Sequence, residues 1–458
     1  MVWARAGIAL GAVTLGVLAL SGGHRGDPRT PTGLPGLPAP FLGVAVVGSG
    51  GRTAAVDAYG DVVDLRKPGP AGPALVAVPA ERQVAGTVST DDALVARMRL
   101  GGGRSVPLWR ADSVQQHYLP GTNVLRTVAR FGDEPSVLVR RIGGPGAAAA
   151  DRRWLACAQP LGAGAPHWAR AMYRRSLLVL RALTDRRSGA VAAGARDGWA
   201  YVWPRDASAV AIALAAAGYR PEARRVARFL KGLDLNAAAR FDGVAAPIPE
   251  RGAQGDAAGW VAAAARAAGL RAHRFPSAWR DLADYQEDNS GDYLGNAIAS
   301  GLGGHRVAGL FGSLRGLTRI AGDPASGLDS TAAWAVRPFP RPALFPAIRR
   351  TLMRLAVDSG RFGIVPSQNW HGGEDPWSAP TAWTAWGLAA LAREGDGARQ
   401  ARSDRRAALG LMADLRRAAT PLGLLPERVD ARTGLPTSTT PLAWSHAFAI
   451  LALRELWP

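Results

Sequence analysis

Cysteine is nearly absent. Cys157 is the sole one in 458 residues, which excludes an intramolecular disulfide and any cysteine-based metal cluster. Between Ala156 and Ala158 it reads as a small core residue. Lysine is almost as scarce, standing only at Lys67 and Lys231. The formal charge of +19 is therefore nearly all arginine. These arginines are spread along the chain rather than gathered in runs. No basic helix with interleaved aromatics and no zinc-finger spacing accompanies them, so the charge reads as a bias toward Arg and Ala codons and not as a nucleic-acid surface. The histidines lack metal-ligand spacing. No phosphate-binding glycine loop is present, and Gly101-Gly-Gly103 reads as a turn. Nothing calls for a cofactor or a metal.

What remains is an ordinary globular composition, 48% hydrophobic and 20% charged. The length suits two or three domains with a sizeable core. Long apolar runs are missing except at the start, where Ala6 to about Leu20 follows Arg5. That run is short for a membrane span and suits a signal-peptide core, with Ala19-Leu-Ser21 as a cleavage site. Residues 1–22 are thus expected to direct export, and cleavage or retention as a membrane tether are both open. Residues 23–40, with Pro28, Pro31, Pro35 and Pro38, read as a linker.

From Phe41 to Ile142 short β-prone runs alternate with glycines: Val44–Val47, Thr53–Val56, Val62-Val63, Leu94–Met98, Val124–Val128 and Val137–Val139. Regular short strands with turn signals predict an antiparallel β-sandwich over 41–142. Gly143 to Pro166, rich in Gly, Ala and Pro, reads as the inter-domain connection. Beyond it the apolar period changes from two to 3.6. Helices are predicted at 167–184, 205–218, 221–234, 256–269, 276–284, 292–302, 304–321, 327–336, 342–358, 378–394, 402–419 and 440–456. Pro221 falls in a first turn, where its missing N–H costs nothing. No strand runs interleave with these helices, which disfavours an α/β barrel. Periodicity alone allows any all-α array over 167–458.

Chemistry concentrates in two distant stretches. Tyr201-Val-Trp-Pro-Arg-Asp-Ala207 sets Trp203, Arg205 and Asp206 at a helix start. Leu425-Pro-Glu-Arg-Val-Asp430 is followed by Pro441-Leu-Ala-Trp-Ser-His446. A carboxylate accepts from two sugar hydroxyls, a guanidinium donates to sugar oxygens, and an indole covers an apolar sugar face. Each residue also has a plainer reading: Asp206 as a helix-start group with Arg205 as its partner, Glu427 as a solvated loop acid.

Taken together these stretches resemble the two ends of the catalytic domain of glycoside hydrolase family 15, the glucoamylase family. Tyr173 to Asp185 with Gly189-Ala190 resembles its first barrel helix and exit, and Tyr118-Leu-Pro-Gly-Thr-Asn-Val-Leu125 is similar to a segment of the N-terminal β-domain of bacterial members. The resemblance implies a multidomain chain in which a β-sandwich precedes an (α/α)6 toroid of six helical hairpins. It implies an inverting, exo-acting glucan α-glucosidase that takes an oligosaccharide or disaccharide α-glucoside and releases glucose from its non-reducing end. Such chemistry needs two carboxyl groups roughly 6.5–9.5 Å apart, one giving a proton to the leaving oxygen and one activating water.

On this resemblance Glu427 is the base, followed in the family's manner by Trp444 and His446. Glu287, in Tyr285-Gln-Glu-Asp288, matches the acid, although Gln286 stands where a tryptophan is usual. Tyr285 and Asp288 are expected to raise its pKa and to line the site. A capping role for Glu287 at a helix start is the alternative. Trp203, Arg205 and Asp206 would grip the terminal glucose. Gln254-Gly-Asp256 is similar to a Gln-x-Asp segment that lacks its preceding tryptophan, with Glu250 and Arg251 nearby. Gln368-Asn-Trp-His-Gly-Gly-Glu-Asp-Pro-Trp377 is similar to a leaving-group loop whose usual arginine is replaced by Ile364 or Val365. There Trp370, His371 and Glu374 would form a different subsite. A trehalase of the same family, a catalytically inactive glycan-binding protein and an all-α scaffold unrelated to sugars are the competing readings.

Overall fold

The computed structural model of the protein describes residues 44–78, 94–99, 103–132, 134–272, 293–394 and 397–458. The N-terminal part is antiparallel β. Strands β1 (Ala45–Gly48), β2 (Thr53–Val56), β3 (Val62–Arg66) and β4 (Ala74–Ala77) form one sheet in sequential order. β5 (Arg97–Arg99) pairs with β6 (Ser105–Pro107). β7 (Ser113–Tyr118), β8 (Leu125–Phe131) and β9 (Glu134–Arg140) form a three-stranded meander. The short β-prone runs thus become strands. β4, β6 and β7 were not among the predicted ones; β6 is very short and β7 polar, so both carry little β signal.

The Tyr118–Leu125 segment is where this region meets the helices. The Tyr118 hydroxyl donates to the Val46 carbonyl at 2.9 Å. The Asn123 amide donates to the carbonyls of Gly48 and Leu178. Helix α1 (Ala147–Ala156) stands inside the stretch read as a plain connection. Its flanking glycines and prolines hid a four-alanine start. Cys157, expected in a core, is instead exposed just past its end.

The remaining helices are α2 (His167–Leu183), α3 (Pro204–Ala216), α4 (Arg220–Lys231), α5 (Ala257–Ala267), α6 (Leu294–Ala299), α7 (Gly304–Phe311), α8 (Phe345–Val357), α9 (Ser378–Glu394), α10 (Ala398–Ala418) and α11 (Ala443–Leu456). Two stretches predicted helical differ. Residues 312–328 leave α7 for a hairpin, β10 (Thr318–Ile320) with β11 (Asp323–Leu328). Gly312, Gly316, Gly322 and Gly327 interrupt the apolar period there. Residues 330–335 form a 3-10 turn, started by the Asp329 carboxylate accepting from the Thr331 N–H at 2.8 Å. The expected helix at 276–284 lies outside the described residues.

Sequence explains which helices are central. α3, α9 and α11 are apolar around nearly their whole circumference, and almost every one of their residues is buried. α4 and α10 carry arginine on one face and are buried on the other. In sequence α3 packs on α5, α5 on α6, α6 on the 330–335 turn, that turn on α9, α9 on α11, and α11 on α3. The space among them is filled by aromatic rings. Trp260 meets Trp334 edge to face at 5.0 Å, Trp334 meets Trp383 at 5.3 Å, and Trp383 meets Trp444 at 5.2 Å. Gly259 lets α5 approach α6, since a Cβ there would lie 1.9 Å from the Ala299 carbonyl oxygen.

Candidate active site

The site lies where the aromatic column ends, at the N-terminal ends of α3 and α11. Pro204 opens α3, with Trp203 extended just before it. Arg205 and Asp206 therefore leave the first turn side by side. The Arg205 guanidinium lies 4.6 Å from the centre of the Trp444 ring and donates to Asp256 at 2.8 Å. Asp256 is fully buried at the start of α5, and its carboxylate serves this pair rather than capping its own helix.

Glu427 is held from every side. Its N–H donates to the Thr439 carbonyl and its carbonyl accepts from the Ser378 N–H, both at 2.9 Å. Its carboxylate accepts a hydrogen bond from the Ser438 hydroxyl. Burial raises its pKa; Ser438, Arg428, Trp199 and Arg251 pull in the opposite direction. Asp206 is buried and within reach of the Glu427 charge. Burial pushes its carboxyl up to about 7; Arg205 opposes the rise, and the charges of Glu427 and Asp256 reinforce it. Two carboxyl groups that both hold protons more tightly than in water are thus set together beside a guanidinium and indole rings. The Trp203 and Trp444 indole N–H groups have no hydrogen-bond partner among the described residues.

Trp203, Arg205, Asp206, Glu427 and Trp444 therefore converge. Arg251 lies over Trp203 at 5.2 Å, in the region where a tryptophan was missed. Trp370 and His371 form a neighbouring cluster with Trp377, whose ring centre is 5.7 Å from that of Trp370. Trp377 bridges to Arg428, which ties this cluster to the Glu427 loop. Its guanidinium comes from β10: Arg319 is buried, lies 4.8 Å from the Trp370 ring and approaches His371 Nδ1 at 3.4 Å. Glu374 is exposed.

His446 turns into the core. It is fully buried, its Nε2 accepts from the Leu425 N–H and its Nδ1 faces the Ser176 hydroxyl, each at 2.9 Å. Burial lowers its pKa to about 3. It is a neutral strut that holds the chain two residues before Glu427. Glu287, Tyr285 and Asp288 lie outside the described residues.

Sequence reading missed Ser438 and Arg319. Each reaches the site only through tertiary structure, and no spacing relative to a motif marks it. A separate cavity of about 1010 Å³ beside the β10–β11 hairpin is lined by Arg315, Asp358 and Glu374 but by neither Glu427 nor Asp206. Among the described residues no group of His, Cys, Asp or Glu suits a metal ion, and no helix is long and apolar enough to cross a membrane.

Comparison with known proteins bears on the family and the fold. Residues 167–243, spanning α2 to α4 and the Trp203-Arg205-Asp206 string, match the sequence profile of the glycosyl hydrolases family 15. The fold is that of a crystal structure of bacterial glucoamylase complexed with acarbose, at a TM-score of 0.60 and 12% identity, covering 91% of this chain and 94% of that one. A wild-type glycosidase matches at a TM-score of 0.52 and 20% identity, covering 64% of this chain and 100% of that one. No curated protein matches the sequence. The resemblance to glycoside hydrolase family 15 read from the motifs therefore stands.

Proposed function

We propose that this protein is an inverting, exo-acting glycoside hydrolase that releases glucose from the non-reducing end of α-glucosides. The supporting observation is the convergence of Glu427, Asp206 and the Arg205–Asp256 pair under Trp203 and Trp444. In this reading Glu427 is the general base and takes a proton from the attacking water. Ser438 aims its carboxylate. Arg205 and Asp206 hold hydroxyls of the terminal sugar, and the indoles cover its apolar face. Glu287 gives the leaving oxygen its proton. The β-sheets are read as a sandwich, the succession of α3, α5, α6, the 330–335 turn, α9 and α11 as the inner wall of an (α/α)6 toroid, and residues 1–22 as an export signal.

The leaving-group side supports a second substrate. Ile364 is buried where an arginine was expected, and Arg319 reaches Trp370 from a different element. A changed subsite of this kind keeps trehalose beside the glucans.

Sugar release from maltose, maltodextrin, dextran and trehalose tests both readings. Glucose from any of them excludes an inactive glycan-binding protein, and the trehalose reaction separates the two enzymes. No release from any α-glucoside defeats the proposal.

A further inference from the structure

The backbone that delivers Glu427 is gripped by the start of α11. The Leu425 carbonyl accepts from the Leu442 N–H at 2.9 Å, just ahead of that helix. The Pro426 carbonyl accepts from the Ser445 hydroxyl at 3.3 Å, and the Leu425 N–H donates to His446 Nε2 at 2.9 Å. Two consecutive side chains on the first turn of α11 thus hold the two residues before Glu427. Pro426 makes this link stiff. Its ring fixes φ, so a shift at Leu425 is passed on to Glu427 rather than absorbed between them.

These bonds also fix the form of the imidazole. A backbone N–H can only donate, so Nε2 of His446 is the bare ring nitrogen. The neutral ring then carries its proton on Nδ1, which lies 2.9 Å from the Ser176 hydroxyl oxygen and donates to it. Ser176 is buried on α2, and the helix around it is pinned. Arg175 donates to the Asn123 side-chain oxygen at 3.1 Å and to the Thr122 carbonyl at 3.0 Å. The Asn123 amide donates to the Leu178 carbonyl at 2.7 Å. Both sides of Ser176 are therefore tied to the segment between β7 and β8. Gly423 closes against the same helix, since a Cβ there would lie 3.2 Å from Arg175 Cγ.

We propose that Ser176 and His446 are a positioning pair: Ser176 locks the Nδ1–H tautomer of His446, whose Nε2 then holds the Leu425 N–H and with it the Glu427 carboxylate at the Ser438 hydroxyl. A fixed point on α2 is thereby carried through α11 to the acid. The role of Glu427 as base rests on the proposed function; the mechanical link does not.

The pair acts without charge. Burial keeps His446 neutral down to about pH 3, and Arg175 is the charge beside it. The groups that bear on Glu427 are Ser438, Arg428, Trp199, Arg251 and, on α3, Asp206. Exchanging His446 or Ser176 for another neutral residue alters none of them. What changes is the placement of the Glu427 carboxylate against Ser438, a donor to its charged form. A carboxylate that loses this donor holds its proton to higher pH.

The test is NMR on the full chain, labelled with nitrogen-15 in histidine and carbon-13 in the glutamate carboxyls. His446→Gln and Glu427→Gln identify the two signals by their loss. Wild-type His446 should be the Nδ1–H tautomer throughout, and Ser176→Ala should let the Nε2–H form appear. His446→Phe should move the Glu427 titration to higher pH, and Ser176→Ala should move it the same way by less. His446→Gln, whose amide oxygen can accept from the Leu425 N–H, should restore most of the wild-type curve. In a Ser438→Ala background His446→Phe should add no further shift. Where substrate is turned over, His446→Phe should lower kcat by up to about 100-fold with KM nearly unchanged. An Nε2–H tautomer in the wild type overturns the proposal. So does a folded His446→Phe protein whose Glu427 titrates like wild type, or a shift that persists in full without Ser438. If His446→Phe does not fold, wild-type titration in Ser176→Ala overturns it equally. Inactivity of the wild type defeats the hydrolase reading alone, because neither NMR measurement needs turnover.

Discussion

Glu427 lies near enough to the buried Asp206 for its charge to add to the burial that pushes the Asp206 carboxyl up to about 7. An unfolded aspartate ionises near 3.8. The folded protein thus binds a proton at Asp206 that the unfolded chain has released, and ionising Asp206 costs stability as pH rises from 4 to 7.

Asp206→Asn removes that cost. Its Tm relative to wild type should rise between pH 4 and pH 8, by an amount worth at most about 4 kcal/mol. Glycosidase activity should nevertheless be lost, because the amide cannot accept two sugar hydroxyls as a carboxylate does. Thermal melts across pH, with sugar release alongside, check both outcomes. A pH-independent Tm difference with normal turnover would return Asp206 to a structural role.

Ser438→Ala removes a donor to the ionised Glu427 carboxylate. The acid limb of the pH–rate profile should move to higher pH, while the limb at high pH stays in place. Kinetics on maltodextrin over a range of pH read this directly.

His446 is buried as the neutral imidazole. The unfolded chain protonates it below about pH 6.5 while the folded chain refuses the proton until about pH 3, so stability is lost as pH falls through that window. His446→Gln should flatten this part of the stability curve. His446→Phe leaves the Leu425 N–H without its acceptor and should destabilise by about 1–3 kcal/mol. Denaturant unfolding at pH 5 and pH 7 measures both.

Much of this was legible in sequence where function is written in adjacent residues. Trp203, Arg205 and Asp206 share one helix start, so a short string carries their chemistry. The apolar circumference of α9 and α11 likewise announces central helices. Contacts made by distant chain segments were not legible. Nothing near Ser438 says that its hydroxyl meets Glu427, and Arg319 reaches Trp370 from another element. For His446, two residues after Trp444, sequence left site and packing roles open, and its helical position turns it into the core. The β10–β11 hairpin was hidden by an apolar run whose glycines break the helical period.

Following the released sugar by proton NMR in the first minutes of reaction tests the central claim most directly. With Glu427 activating water on the far side of the sugar, an α-glucoside should release β-glucose first. Glu427→Gln should still bind the substrate but turn it over about 100-fold more slowly or less. Initial release of α-glucose, or Glu427→Gln turnover equal to wild type, would contradict the account.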